Sequence, residues 1–130
     1  MEEEPKDFTK LHVWQRSHQL VIDAYRFCEI TPKAEDYITT SQLKRSVSSV
    51  PANIAEGYGR YYYQDNISFC RKARGSLYET KNHLIKIRDL KLVDREQSQN
   101  LINECDEIMR LLNGYIRHLE KRKLTKPLIN

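Results

Sequence analysis

The sequence predicts an all-α protein, an up-down-up-down bundle of four helices. Three observations predict it. Apolar residues recur at helical spacing through four long segments. No segment shows the alternation of a strand. Only four glycines and four prolines interrupt the chain, mostly at the breaks between segments. A length of 130 residues fits one domain. The expected division is an acidic N-terminal extension over 1–10, the bundle over 11–120 and a basic C-terminal tail over 121–130.

The first helix is expected from about Leu11 to Ile30. Trp14, His18, Val21, Tyr25 and Cys28 follow a 4-3-4-3 spacing, which keeps them on one face and makes that face the expected core stripe. Val13, Leu20 and Phe27 form a second line about 100° around the helix. Pro32 disfavours helix in the residue ahead of it and so ends the segment. The second helix is expected to start at Thr39, Thr40 or Ser41, all good caps. Leu43, Val47, Val50, Ile54 and Tyr58 give its face. Pro51 lies inside that pattern, removes one backbone bond and predicts a kink. Ser46, Ser48, Ser49, Ala52 and Ala55 surround it and let another helix approach closely. Gly57 and Gly59 then stop the helix.

The third helix is expected over about Asp65 to Lys91. Cys70, Ala73, Leu77, Thr80, Leu84 and Ile87 supply its seam, with Ile67, Tyr78 and Ile85 on one flank. The fourth opens at "DREQ", where Asp94 caps and Gln97 can reach back. It carries three seven-spaced lines: Leu101/Ile108/Tyr115, Ile102/Met109/Ile116 and Cys105/Leu112/Leu119. Together these cover about 140° of the helix, wider than one bundle core usually requires. The surplus lines predict self-association, with Val13, Leu20, Phe27, Ile67, Tyr78, Ile85, Leu101, Ile108 and Tyr115 as subunit-interface candidates.

Charged residues make up 31% of the chain, and no apolar run approaches the roughly 20 residues of a membrane span. The start, "MEEEPKDF", lacks the apolar stretch of a signal peptide, so a cytoplasmic location without membrane attachment is expected. The net charge of +4 is unevenly spread. Residues 1–37 carry five Lys/Arg against eight Asp/Glu, and residues 61–93 carry seven against three. A basic middle and a basic end, "EKRKLTKP", suggest an anionic partner. Cys28, Cys70 and Cys105 form no CxxC and fall on apolar stripes of different helices, which predicts three buried, reduced thiols.

Catalytic and cofactor chemistry has no foothold in the motifs. There is no GxxxxGK[ST], no GxGxxG after a strand, no HExxH and no GxSxG. Gly57 and Gly59 close a helix, whereas a phosphate loop precedes one. None of His12, His18, His83 and His118 is paired at helical spacing with a second histidine. His18 is expected packed and hydrogen-bonded, and His83 and His118 at surfaces or edges. A non-enzyme without metal or cofactor is expected. Binding remains. Lys44, Arg45, Arg60, Arg71, Lys72 and Arg74 are read as one cluster at the second hairpin, interleaved with Tyr58, Tyr61, Tyr62 and Tyr63. Cations meet phosphates and rings stack on bases, which suits RNA or single-stranded DNA as partner; the alternative is a solvated basic face with the tyrosines packed at a helix end or a subunit seam. Tyr61, Tyr62 and Tyr63 are the stacking candidates, and Lys121, Arg122 and Lys123 add a second basic set.

"LHVWQRSHQLV", then "TSQLKRSVSSVPANIAEGYGR", then "FCRKARGSLYET" resemble the bacterial four-helix-bundle family first noticed as open reading frames in intervening sequences of 23S ribosomal RNA genes. The resemblance runs from about Leu11 to Leu119 in one register. It is sharpest over Ser41–Arg60 and weaker at Gly75, Ser76, Leu77 and Glu79, and at Asn113 and Gly114. It implies a barrel-like homopentamer. It also implies kinship with the accessory variability determinant of diversity-generating retroelements, which binds reverse transcriptase and is basic enough to hold nucleic acid. The function so implied is a non-enzymatic accessory scaffold that holds reverse transcriptase and template RNA or cDNA during mutagenic reverse transcription. The alternative is a self-assembling intervening-sequence-type protein with no retroelement role. Two departures stand out. "YYYQDN" over Tyr61–Asn66 replaces the usual Ser or Thr cap before "KEF", with Asn66 for the phenylalanine, and Arg74 replaces a commonly apolar or small residue.

Overall fold

The computed structural model describes residues 7–125. A 3₁₀ turn, Phe8–Lys10, precedes four helices: α1 (His12–Ile30), α2 (Lys33–Tyr58), α3 (Tyr63–Asp89) and α4 (Arg95–Thr125). α1 packs on α2 and α4, α2 on α3, and α3 on α4, and among the described residues neither diagonal pair packs. That closed ring with short links is a four-helix bundle. The core runs along its axis through Leu20, Leu43, Val47, Ile54, Leu77, Leu84, Ile108 and Leu112, all fully buried. Each such side chain contributes about 1.5–3 kcal/mol by leaving water.

α1 turns inward the second line, about 100° around from the expected face, and of that expected face Cys28 alone is buried. Val13, Ser17, Leu20, Ala24 and Phe27 are buried, while Tyr25 and His18 are exposed and Trp14 and Val21 half-buried. Both lines share one spacing, so periodicity alone does not choose between them. Size does: Ser17 and Ala24 let α1 come close to its neighbours, and the Ser17 hydroxyl is absorbed by the Val13 carbonyl at 2.8 Å. The aromatic line lies outside on its own supports. Trp14 stacks on His18 with centroids 4.8 Å apart and meets Phe8 edge-on at 5.2 Å. Val13, Leu20, Phe27, Ile67 and Ile108 are therefore core residues and not subunit-contact candidates. Ile85, Leu101 and Tyr115 are half-buried against the same core, and Tyr78 is 57% exposed.

α2 begins at Lys33, six residues or more before the capping residues expected to start it. Pro32 precedes it with φ −57°, a value already suited to a helix start. Thr39 is buried within α2, and the Thr40 hydroxyl donates to the Tyr37 carbonyl at 3.2 Å, so neither acts as a cap. Pro51 is buried in a helix that stays continuous to Tyr58. α3 starts at Tyr63 and closes at Asp89, each a residue or two earlier than expected. His83, expected at a surface, is buried, with Nε2 3.3 Å from Glu79. Residues 121–125 of the expected tail continue α4, and 126–130 lie outside the described residues, as does 1–6 of the N-terminal extension. Cys28, Cys70 and Cys105 are buried and free.

The small residues of α2 form a polar seam with α3. The Thr80 hydroxyl lies 2.9 Å from the Ser46 hydroxyl, and the Ser76 hydroxyl donates to Ser49 at 2.9 Å. Asn53 closes the row by donating to the Ser49 carbonyl at 2.9 Å. Further along, Gly57 lets the two helices nearly touch. A Cβ there would lie 2.7 Å from Asn66 Oδ1 and 2.9 Å from Phe69 Cβ.

Candidate nucleic-acid interface

The close approach at Gly57 sets the geometry of one end of the bundle. α2 ends at Tyr58, the Gly59 amide donates back to Ala55, and the Arg60 amide donates to Gly57. The chain turns at once into α3, with Tyr62 as its extended N-cap residue. Arg60, Tyr61 and Tyr62 thus present their side chains outward.

Arg60 donates to Glu56 at 2.8 Å, and its guanidinium carbon lies 4.8 Å over the Phe69 ring. Lys72 brings its ammonium to 4.5 Å from the centroid of that same ring. Tyr61 is 73% exposed and meets Tyr62, also exposed, edge-on at 4.9 Å. An exposed ring of this kind is available to stack on a base. Tyr63 differs. It is half-buried, and its hydroxyl accepts from Arg122 Nε at 3.2 Å.

α4 carries the second basic set to the same place. Lys123 donates to Gln64 at 2.7 Å, and Arg71 bonds Glu120 at 3.3 Å. Gln64, Ile67, Arg71, Glu120, Lys123 and Leu124 surround a hollow of about 180 Å³. Lys121 follows Glu120 on α4 and is exposed. Arg74 is half-buried and donates to Asn113 at 2.9 Å, which ties α3 to α4. Asn66 is buried, donates to the Tyr115 hydroxyl at 3.3 Å and accepts from the Cys70 thiol at 3.5 Å. The unusual asparagine thus fastens the start of α3 to α4 from inside.

Six of the expected cations, Arg60, Arg71, Lys72, Lys121, Arg122 and Lys123, gather at this end. Lys44 and Arg45 do not. At 1.5 Å per residue the rise from Lys44 to the end of α2 at Tyr58 is about 21 Å. Lys44 points at α1, its ammonium 5.1 Å from the Tyr25 ring, and Arg45 is exposed near mid-helix. The expected single hairpin cluster is therefore split by helix length. Phe69, Gln64 and Glu120 belong to the site and were not anticipated. Only the three-residue step from Phe69 to Lys72 was a visible signal.

Burial pushes the thiols of Cys70 and Cys105 up to about 12, which leaves them protonated and inert at neutral pH. Among the described residues no cluster of His, Cys, Asp and Glu could hold a metal ion, and no helix is long and apolar enough to cross a membrane.

A model of the 23S rRNA-intervening sequence protein family matches residues 9–114. The fold is similar to a crystal structure of a protein of unknown function from the S23 ribosomal protein family of Bacteroides thetaiotaomicron. That likeness has 24% identity and a TM-score of 0.74, and it covers 80% of this chain and 97% of that one. No curated protein matches the sequence. The matched region includes Arg60 through Arg74 and stops before Lys121, Arg122 and Lys123.

Proposed function

This chain belongs to the 23S rRNA-intervening sequence protein family, and on that premise we propose that it is a non-enzymatic, self-assembling scaffold that holds flexible single-stranded nucleic acid, RNA above all, at the basic end of its bundle. One observation carries the proposal. The α2–α3 turn with the start of α3, and the last turns of α4, far apart in sequence, bring six cations and the exposed rings of Tyr61 and Tyr62 to one end of the bundle. Cations that contact phosphates give affinity without sequence preference, and exposed rings add stacking on unpaired bases. The family match supports an intervening-sequence-type protein. It lends nothing to a reverse transcriptase partner or to retroelement mutagenesis, so the proposal leaves both out. Gene neighbourhood tests that choice: an adjacent reverse transcriptase gene with paired template and variable repeats would reverse it.

Self-association into a homopentamer is part of the proposal. Tyr78 is exposed on α3, and a Cβ added at neighbouring Gly75 would meet nothing within 4 Å. Trp14, Val21 and Tyr25 add a partly exposed apolar line on α1. These faces are available to other copies, and mass in solution decides the matter: a monomer at micromolar concentration sinks the assembly.

RNA binding is tested by fluorescence anisotropy across a salt series. Reversal of Arg60, Lys72 and Lys121 to glutamate should weaken binding strongly and reduce the slope of log affinity against log salt by about 2, at roughly 0.7 per lost contact to a single strand. Reversal of Lys44 and Arg45 should leave both nearly unchanged. An unaltered slope in the triple variant removes the nucleic-acid assignment.

A further inference from the structure

We infer that Phe69 is a positioning residue for nucleic-acid phosphates: its ring holds Arg60 and Lys72 as a preset pair of cations that grips the backbone of a single strand. The inference rests on the nucleic-acid reading above and names the part of that surface that does the gripping. Arg60 comes from the α2–α3 turn and Lys72 from the first turns of α3, yet both rest on one ring, at 4.8 and 4.5 Å from its centroid. Both distances fall within the roughly 6 Å reach of a cation–π contact. Two like charges repel and would separate if only their flexible stems held them. The electron-rich ring offsets that repulsion and fixes their spacing. The fold supplies this arrangement through Gly57: the gap of a missing Cβ above Phe69 is what lets the end of α2, and so Arg60, reach the ring.

The pair is also available to an anion. Among the described residues no carboxylate pairs with Lys72. Among the described residues Arg60 pairs only with Glu56, through one terminal nitrogen and at a site about half exposed to water. Such a contact is weak and exchanges readily for a phosphate. Glu56 therefore competes with the ligand for Arg60. A lysine or arginine that is already ordered loses less freedom on binding, so the ring raises affinity without adding a contact.

The test uses full-length protein and a labelled oligouridylate. Phe69→Leu keeps apolar volume and removes the ring's attraction for cations. It should weaken binding roughly three- to tenfold while leaving the salt slope unchanged, because no phosphate contact is lost. Lys72→Gln should instead lower the slope by about 0.7. Phe69→Tyr should restore affinity, and Glu56→Gln should strengthen it. Circular dichroism melts confirm that each variant is folded. If Phe69→Leu binds like the parent, or if Phe69→Tyr is as weak as Phe69→Leu, the positioning role is wrong while the nucleic-acid surface stands. If the parent protein does not retain the oligouridylate at low salt, both fall together.

Discussion

The Thr80 hydroxyl lies 2.9 Å from the Ser46 hydroxyl across the α2–α3 seam, and both side chains are buried. The Thr80 hydroxyl also donates to the Ser76 carbonyl at 2.8 Å and Ser46 donates to the Leu43 carbonyl at 3.2 Å, so the pair belongs to a small hydrogen-bond network inside the bundle. Thr80→Val keeps the shape and removes the hydroxyl. It should cost about 1–2 kcal/mol in urea denaturation. Adding Ser46→Ala should cost less than the sum of the single effects, because the two share one bond. Strict additivity would show that the hydroxyls act independently.

Two glycines should respond in opposite directions to the same substitution. Gly57→Ala forces a Cβ to 2.7 Å from Asn66 Oδ1 and 3.0 Å from the Asn66 carbonyl, and part of that neighbour is backbone that cannot move aside. A loss of about 1–3 kcal/mol is expected. Gly75→Ala meets open space within a helix and should raise single-chain stability by about 0.5–1 kcal/mol. Thermal melts compare the two. Gly75→Ala should also reduce the assembled mass if another copy approaches α3 at that point, and light scattering reads that separately.

Lys91 has φ +58°, in the left-handed region that a side chain disfavours. It closes α3: the Leu92 amide reaches back to the Ile87 carbonyl at 3.3 Å and the Lys91 amide to Arg88 at 3.1 Å. Glycine is the usual residue at this kind of helix end. Lys91→Gly should therefore stabilise the protein by about 1 kcal/mol, seen as a higher denaturation midpoint. A lower midpoint would mean that the lysine side chain contributes more than its backbone strain costs.

Burial holds the thiols of Cys70 and Cys105 at about 12, above the usual 9.0. The folded chain keeps these protons where the unfolded chain releases them. Their contribution to stability is thus fully present below 9.0 and is lost as pH rises toward about 12. The urea midpoint should fall through that window. Iodoacetamide at about pH 8 should label neither cysteine until denaturant opens the bundle, as mass spectrometry of the peptides will show.

The seams of α3 and α4 were legible in the sequence. Cys70, Ala73, Leu77, Thr80, Leu84 and Ile87 are buried as their spacing requires, and so are Cys105, Leu112 and Leu119. α1 was misread because two apolar lines carry the same period. What separates them is the small volume of Ser17 and Ala24, a signal of packing distance that an apolar pattern does not register. The start of α2 was missed because Tyr37 and Ile38 are exposed and add nothing to an inward stripe.

The binding end was half legible. Its cations and tyrosines were visible as residue types. Their grouping depended on distances along helices, which separated Lys44 and Arg45, and on the continuation of α4, which brought Arg122 onto Tyr63. Phe69 escaped notice because a lone half-buried phenylalanine looks like any core residue until two cations are found resting on it.

α4 is 31 residues long and α1 is 19, or about 46 Å against 28 Å at 1.5 Å per residue. The bundle therefore has unlike ends, and the one bearing Tyr61, Lys72 and Lys123 cannot be exchanged for the other. A rotation axis parallel to such a molecule turns this inequality into valency. Every copy would show its basic end on the same rim, and one strand could touch several copies at once. Contacts that are individually weak and quickly reversed would then act at high effective concentration. A ring of this kind would discriminate by the length of its ligand, favouring strands long enough to bridge neighbouring copies over short fragments of identical sequence.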